Sequence, residues 1–155
     1  MADGKDTRPA FDSYDERVAD GLVRAHEKGE GLPGYLGIRL TDTWPGGMRA
    51  EIPVRDDLLN PFGNLHGGVL AALCDHVLGT VCYPVIPPGA WAATTEFKLN
   101  YLAPVFAGAE LRAESTVVSL GRRTAVVQVE VSNGDQLVCV AQGTLLVSDP
   151  AKKSE

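Results

Sequence analysis

Cysteine is scarce. The three present, Cys74, Cys82 and Cys139, are too few and too scattered for a disulfide framework, and none forms the paired C-x-x-C spacing of a zinc site. All three sit in apolar stretches, where a free thiol behaves as a small hydrophobe, so a reducing, cytoplasmic setting is expected. Positive charge is also short. With 14 Lys and Arg against 20 Asp and Glu the formal net charge is -6, so nothing global recruits nucleic acid or an anionic membrane. An anionic ligand would need a local cationic patch. No run approaches the roughly 18 uncharged residues of a membrane span. The first residues, MADGKDTRPAFDSYDERVADG, are charged and lack the apolar core of a secretory signal. Repeats and domain linkers are absent as well. What remains is 155 residues with 45% hydrophobic and 22% charged content, enough for one domain with one core.

Periodicity divides that domain. Residues 1–12 and 149–155 read as disordered ends, leaving 13–148 as the folded unit. Ser13 is placed to cap a helix carrying Val18, Leu22, Val23 and Ala25, which Gly29 and Gly31 stop. Tyr35–Trp44 and Met48–Arg55 read as a hairpin around Pro45-Gly46-Gly47. Turn chemistry from Asp56 to Asn64 leads into one long helix, Gly68–Tyr83, ended by Pro84 and apolar on nearly every side. Four strand-like segments follow: Thr94–Leu102, Glu110–Leu120, Thr124–Ser132 and, after the hairpin signal Asn133-Gly134, Gln136–Val147. The fold class is α+β, an antiparallel sheet of about six strands wrapped around a long central helix, with a short helix before it.

One residue conflicts with its surroundings. Asp75 lies in the middle of a helix of Val, Leu, Ala and Cys, and an unpaired buried carboxylate costs several kcal/mol. Either His76, a backbone amide or an interfacial water satisfies it, or it is exposed in a cleft and used. Ahead of it, Gly67 and Gly68 open the helix with free backbone N–H groups at the positive end of the dipole. That arrangement suits an anion or a polarised carbonyl oxygen, and glycine lets a ligand approach the backbone closely. The same pair would equally serve as a tight loop-to-helix corner.

The run Asn60-Pro61-Phe62-Gly63-Asn64-Leu65-His66-Gly67-Gly68, with Asp75 nine residues after His66, resembles the N-x-x-G-x-x-H-G-G…D/E signature of the hotdog-fold thioesterases, most nearly their phenylacetate-type, PaaI-like branch. Thr94–Pro104 resembles that branch's strand with its Y-x-x-P ending, and Gly121-Arg122-Arg123 the G-R-x segment opening the next long strand. The resemblance implies an acyl-coenzyme A thioesterase with no metal and no cofactor beyond the coenzyme A of its substrate. It also implies roles for single residues. The Gly67 N–H would polarise the thioester carbonyl, while His66 orients the loop and meets the carbonyl or the departing thiolate. Asn60 would position substrate or water, Asp75 would act as general base or nucleophile, and Thr94 would help hold the attacking water. Gly68, Phe62, Gly63 and Leu65 would shape the substrate site, and Arg122 or Arg123 would meet the coenzyme A phosphates.

Helical rise adds a constraint. Gly67 and Asp75 are about 12 Å apart along an α-helix, so one thioester carbon cannot meet both within one chain. If both act, the site is shared across a homodimer, alone or in a dimer of dimers. Other conspicuous residues read as structural. Cys74 is an inert buried thiol, His26 has no chemical role, His76 bonds locally, and Trp44 and Trp91 fill core or interface. Two other functions fit the same fold: a non-catalytic acyl-CoA binding protein and an acyl-thioester dehydratase or hydratase. The acyl group itself is not legible, although Phe62, Leu65 and the Pro84–Gly89 loop are candidates for shaping its pocket.

Overall fold

The computed structural model describes residue 11 and residues 13–149; of the expected disordered ends, all but Phe11 and Asp149 lie outside that range. Phe11 packs against the core, and a Cβ added at Gly46 would collide with its ring. The first helix, α1 (Glu16–Glu27), is capped by Asp15 and not by Ser13. Asp15 Oδ1 accepts from the N–H groups of Arg17 at 2.9 Å and Val18 at 3.3 Å, the positions a capping carboxylate satisfies.

A second short helix, α2 (Gly31–Leu36), takes residues the sequence had assigned to a strand, so β1 begins later, at Arg39–Trp44. Pro33 suits a first helical turn and cannot donate to a strand ladder. Gly37, at φ 78°, ends the turn with its N–H on the Gly34 carbonyl. Strand β2 (Gly47–Pro53) completes the expected hairpin. The central helix α3 (Gly67–Thr80) starts one residue earlier than expected, and a 3-10 turn, Tyr83–Val85, follows it. Strands β3 (Trp91–Tyr101), β4 (Glu110–Leu120), β5 (Thr124–Asn133) and β6 (Gln136–Ser148) come next, close to their expected bounds.

All six strands form one antiparallel sheet in the order β1-β2-β4-β5-β6-β3. The connection through α3 carries β3 to the far edge, where it pairs with β6 on one side only. Alternate residues face α3: Met48, Ala50 and Ile52; Leu111, Ala113 and Val117; Ala125, Val127, Val129 and Val131; Cys139 and Leu145. From the helix, Leu70, Leu73, Cys74, Val77 and Leu78 meet them. Each such Leu or Val side chain contributes about 1.5–3 kcal/mol by leaving water.

The helix is apolar on most sides, yet its own sheet covers only one. Gly68, Ala71, Ala72, Asp75, His76 and Gly79, at helical spacing, stay exposed or half-buried. Asp75 is therefore an exposed residue of this protomer, not a buried one. By length and mean hydropathy Gly67–Val85 is long and apolar enough to cross a membrane, but it is not an uncharged run, since it carries Asp75, and it is the core helix and its extension, more than half buried in the fold.

β3 carries a bulge. Thr94 pairs with Leu145 and Glu96 with Thr144, so Thr95 is the extra residue, its hydroxyl donating to the Thr144 carbonyl at 2.9 Å. Thr95 is exposed, whereas Phe97 and Leu99, which continue the strand beyond the bulge, are half-buried.

Candidate active site

The loop before α3 closes on itself. Asn60 Oδ1 accepts from the N–H of Phe62 at 2.9 Å and of Asn64 at 3.3 Å. The Asn60 N–H donates to the Asn64 carbonyl at 2.7 Å, and Gly63 takes φ 84°, which favours glycine. The next two residues are tied to the body of the protein: Leu65 N–H to the Val105 carbonyl and His66 N–H to the Leu58 carbonyl, at 2.8 and 2.9 Å. Asn60 thus builds the loop with its side-chain oxygen and keeps only its amide nitrogen for a ligand.

His66 is the N-cap of α3, its Nδ1 accepting from the Gly68 N–H at 2.8 Å. An accepting Nδ1 carries no proton, so the neutral ring holds its proton on Nε2. The Gly67 N–H has no acceptor among the described residues, and it sits at the positive end of the helix dipole. Gly67 lines a cavity of about 400 Å³ with Asn60, Asn64, Leu65, Leu70 and Tyr101–Val105. Sequence alone assigns Tyr101 a place in the strand and in its Y-x-x-P ending but no role in the site. Its hydroxyl donates to the Gly67 carbonyl at 3.0 Å, across 34 residues of sequence.

A second group lies further along α3. Asp75 is two turns on, about 12 Å along the axis. Thr94 Oγ1 lies 4.0 Å from where a Cβ on Gly79 would stand, one helical turn beyond Asp75. Arg122 and Arg123 belong to the same end of the sheet, since the Val147 N–H donates to the Arg123 carbonyl and Val147 pairs with Ala92. The two arginines sit in the bend before β5, both exposed, and not in the strand itself. The candidates therefore divide in two. Asn60, His66, Gly67, Gly68 and the Phe62–Leu65 loop stand at the helix front, Asp75, Thr94 and the arginines at its middle and far end. Phe62 is 88% exposed, whereas Leu65 is buried. A larger cavity, about 520 Å³, lies elsewhere, between the start of α1 and the Pro84–Gly89 loop, and contains none of the candidate catalytic residues.

His76 does not bond locally through its ring. Its Nε2 lies 2.5 Å from Nε2 of His26, whose Nδ1 is 2.6 Å from the Leu22 carbonyl. A carbonyl only accepts, so His26 carries its proton on Nδ1 and His76 donates from Nε2. Burial, reinforced by His26 and opposed by Asp75, pushes the His76 pKa down to about 4. Cys74 and Cys82 are wholly buried. The Cys139 thiol bonded to Cys74, together with burial, raises the Cys74 pKa, and burial alone raises that of Cys82 to about 12. Neither is a nucleophile. Among the described residues no three His, Cys, Asp or Glu side chains are grouped to hold a metal ion.

The chain is similar to known proteins in sequence and in fold. Residues 62–140 match the profile of the thioesterase superfamily, and the chain belongs to that family. A protein of Halobacterium salinarum that carries only a provisional esterase name is 31% identical over 123 residues, 76% of this chain and 80% of its own. The 1,4-dihydroxy-2-naphthoyl-CoA hydrolase of Listeria monocytogenes is 27% identical over 123 residues, covering 79% of this chain and 99% of its own. Among solved structures, the E. coli PaaI protein superposes with a TM-score of 0.79 at 24% identity, over 89% of this chain and 98% of that one, and supports the hotdog fold. A Streptococcus mutans protein solved with acetyl CoA has a TM-score of 0.68 at 32% identity, over 74% and 91% of the two chains.

Proposed function

We propose that the protein hydrolyses acyl-coenzyme A thioesters to a free acid and coenzyme A, at sites shared between two copies of the chain. The observation that carries this reading is the placement of an unengaged amide and an exposed carboxylate on one continuous helix, about 12 Å apart. In a homodimer the thioester oxygen rests on the Gly67 N–H of one protomer while the partner's Asp75 works on the carbonyl carbon. Asp75 either takes a proton from water as the water adds, or adds directly and is released by a later water. The carbon–sulfur bond then breaks, and the departing thiolate takes up the proton lost by the water. His66, with its proton on Nε2, is the hydrogen-bond donor at hand for the carbonyl oxygen or the sulfur.

Thr94 stands on the same side of the molecule as Asp75 and would steady the water; Arg122 and Arg123 would meet the coenzyme A phosphates. The uncovered stripe on α3 and the unpaired edge of β3 are the surfaces a second copy would cover. That the Listeria relative is named for a CoA thioester and the Streptococcus neighbour was solved with acetyl CoA supports this substrate class. Thiol release from a panel of short, medium, long and aromatic acyl-CoAs tests the proposal, run beside Asp75→Ala. Full activity in the variant, or no release from any substrate, sinks it.

A further inference from the structure

Gly67 and Gly68 form the most flexible dipeptide that could open a helix, yet an oxyanion donor must be aimed to within a fraction of an ångström. Their own sequence cannot supply that rigidity. The peptide unit joining them is instead held at both ends: the Tyr101 hydroxyl donates to its carbonyl at 3.0 Å, and His66 Nδ1 accepts from its N–H at 2.8 Å. The absence of a side chain at both positions is tied to the same two partners. A Cβ on Gly67 would stand 3.0 Å from the Tyr101 Cζ and hydroxyl oxygen, and a Cβ on Gly68 would stand 2.9 Å from His66 Nδ1. The glycines leave room for the residues that immobilise them.

We infer that Tyr101 is a positioning residue for the proposed hydrolysis, acting through the Gly67–Gly68 peptide on both the Gly67 donor and the ring of His66. The chain of bonds runs from the Tyr101 O–H to the Gly67 carbonyl, through the amide to the Gly68 N–H, and on to His66 Nδ1. Donation to a carbonyl polarises its amide, so the Gly68 N–H becomes the stronger donor. That fixes the imidazole with its free proton on Nε2, facing away from the helix. Tyr101 also lines the 400 Å³ cavity beside Gly67, so it adjoins the substrate site while its hydroxyl is turned to the backbone. This inference rests on the function proposed above, but one of its readouts does not.

The test is Tyr101→Phe, which keeps the ring and deletes the hydroxyl. Loss of one such bond should lower kcat roughly three- to tenfold with KM within about twofold. In the nitrogen and proton NMR spectra the Gly68 amide should move upfield and the His66 ring should lose its single tautomer. Incorporation of 3-fluorotyrosine at 101, a stronger donor, should move the Gly68 amide the other way, which covers the case of a poorly folded phenylalanine variant. An unchanged kcat, or a change in KM alone, overturns the inference, since Tyr101 would then only form part of the cavity wall. If the wild-type protein releases no thiol, the function fails, and the Gly68 and His66 resonances still decide the role of Tyr101.

Discussion

If each site takes its amide from one protomer and its carboxylate from the other, two inactive variants should repair each other. The first is Asp75→Asn, which removes the base or nucleophile and keeps the size of the side chain. The second is Gly67→Pro, which deletes the amide proton. Proline is favoured at the first position of a helix, and His66, at φ -64° and ψ 131°, already has the conformation a residue before proline adopts. The Tyr101 ring, 3.0 Å from the new Cβ, has to give by a few tenths of an ångström. Loss of one oxyanion donor costs about 10²–10³ in rate, or about 2.7–4 kcal/mol, so either homodimer should retain at most about 1% of wild-type activity. An equimolar mixture, co-expressed with two tags, yields about half hybrid dimers. Each hybrid holds one site with both groups intact and one site with neither. Thiol release by the mixture should therefore reach about a quarter of the wild-type rate per chain, and about half in hybrids purified through both tags. Purified hybrids no more active than the parents would refute the shared site, since the amide and the carboxylate would then not meet across two chains.

Two further outcomes follow from the buried groups. The folded His76 pKa, about 4, lies below the ordinary value of 6.5, so the unfolded chain binds the extra proton. Stability is then full above about pH 6.5 and declines as pH falls toward 4, by on the order of 1–2 kcal/mol once partial exposure is allowed for. Urea unfolding should show a decline in this window that shrinks in His76→Gln; equal declines in both proteins would rule out the buried His76 ring as its source. The three cysteines are buried, so a thiol dye should leave the native protein untouched during an assay and titrate three thiols per chain in urea. Rapid native labelling would contradict the burial of Cys74 and Cys82 in the core.

Much of this molecule was readable in advance because its elements are strongly periodic. β4 begins and ends where alternation said, and the Asn133-Gly134 turn joins β5 to β6. The spacing from Asn60 to Asp75 marked the helix front and the carboxylate. What escaped reading was decided by contacts distant in sequence or by local competition. Asp15 outranks Ser13 because its carboxylate reaches two amides of the first turn. α2 has no helical periodicity, being barely a turn and a half set by Pro33 and Gly37. The bond between His26 and His76 spans 50 residues, and that between Tyr101 and Gly67 spans 34, so neither ring could be given its partner from the string of letters. Asp75 was left open between a paired, buried group and an exposed one for a related reason: an all-apolar helix implies burial on every side, and only the fold shows which side its own sheet leaves open.

The extra residue in β3 works as a parity switch. On the Tyr101 side of it, odd-numbered residues such as Phe97 and Leu99 turn inward; on the Trp91 side, the even-numbered Ala92 and Thr94 do. Because Thr94 and Glu96 already pair with neighbouring residues of β6, removing Thr95 would join them into an unbroken ladder with the Thr94 hydroxyl still inward, whereas removing a residue from a regular stretch would turn the side chains beyond it to the wrong face or drag that end out of step with β6. Thr95 should accordingly be the position on this edge where a deletion is best tolerated, while single-residue deletions in the regular stretches on either side should be far more damaging than substitutions at the same positions.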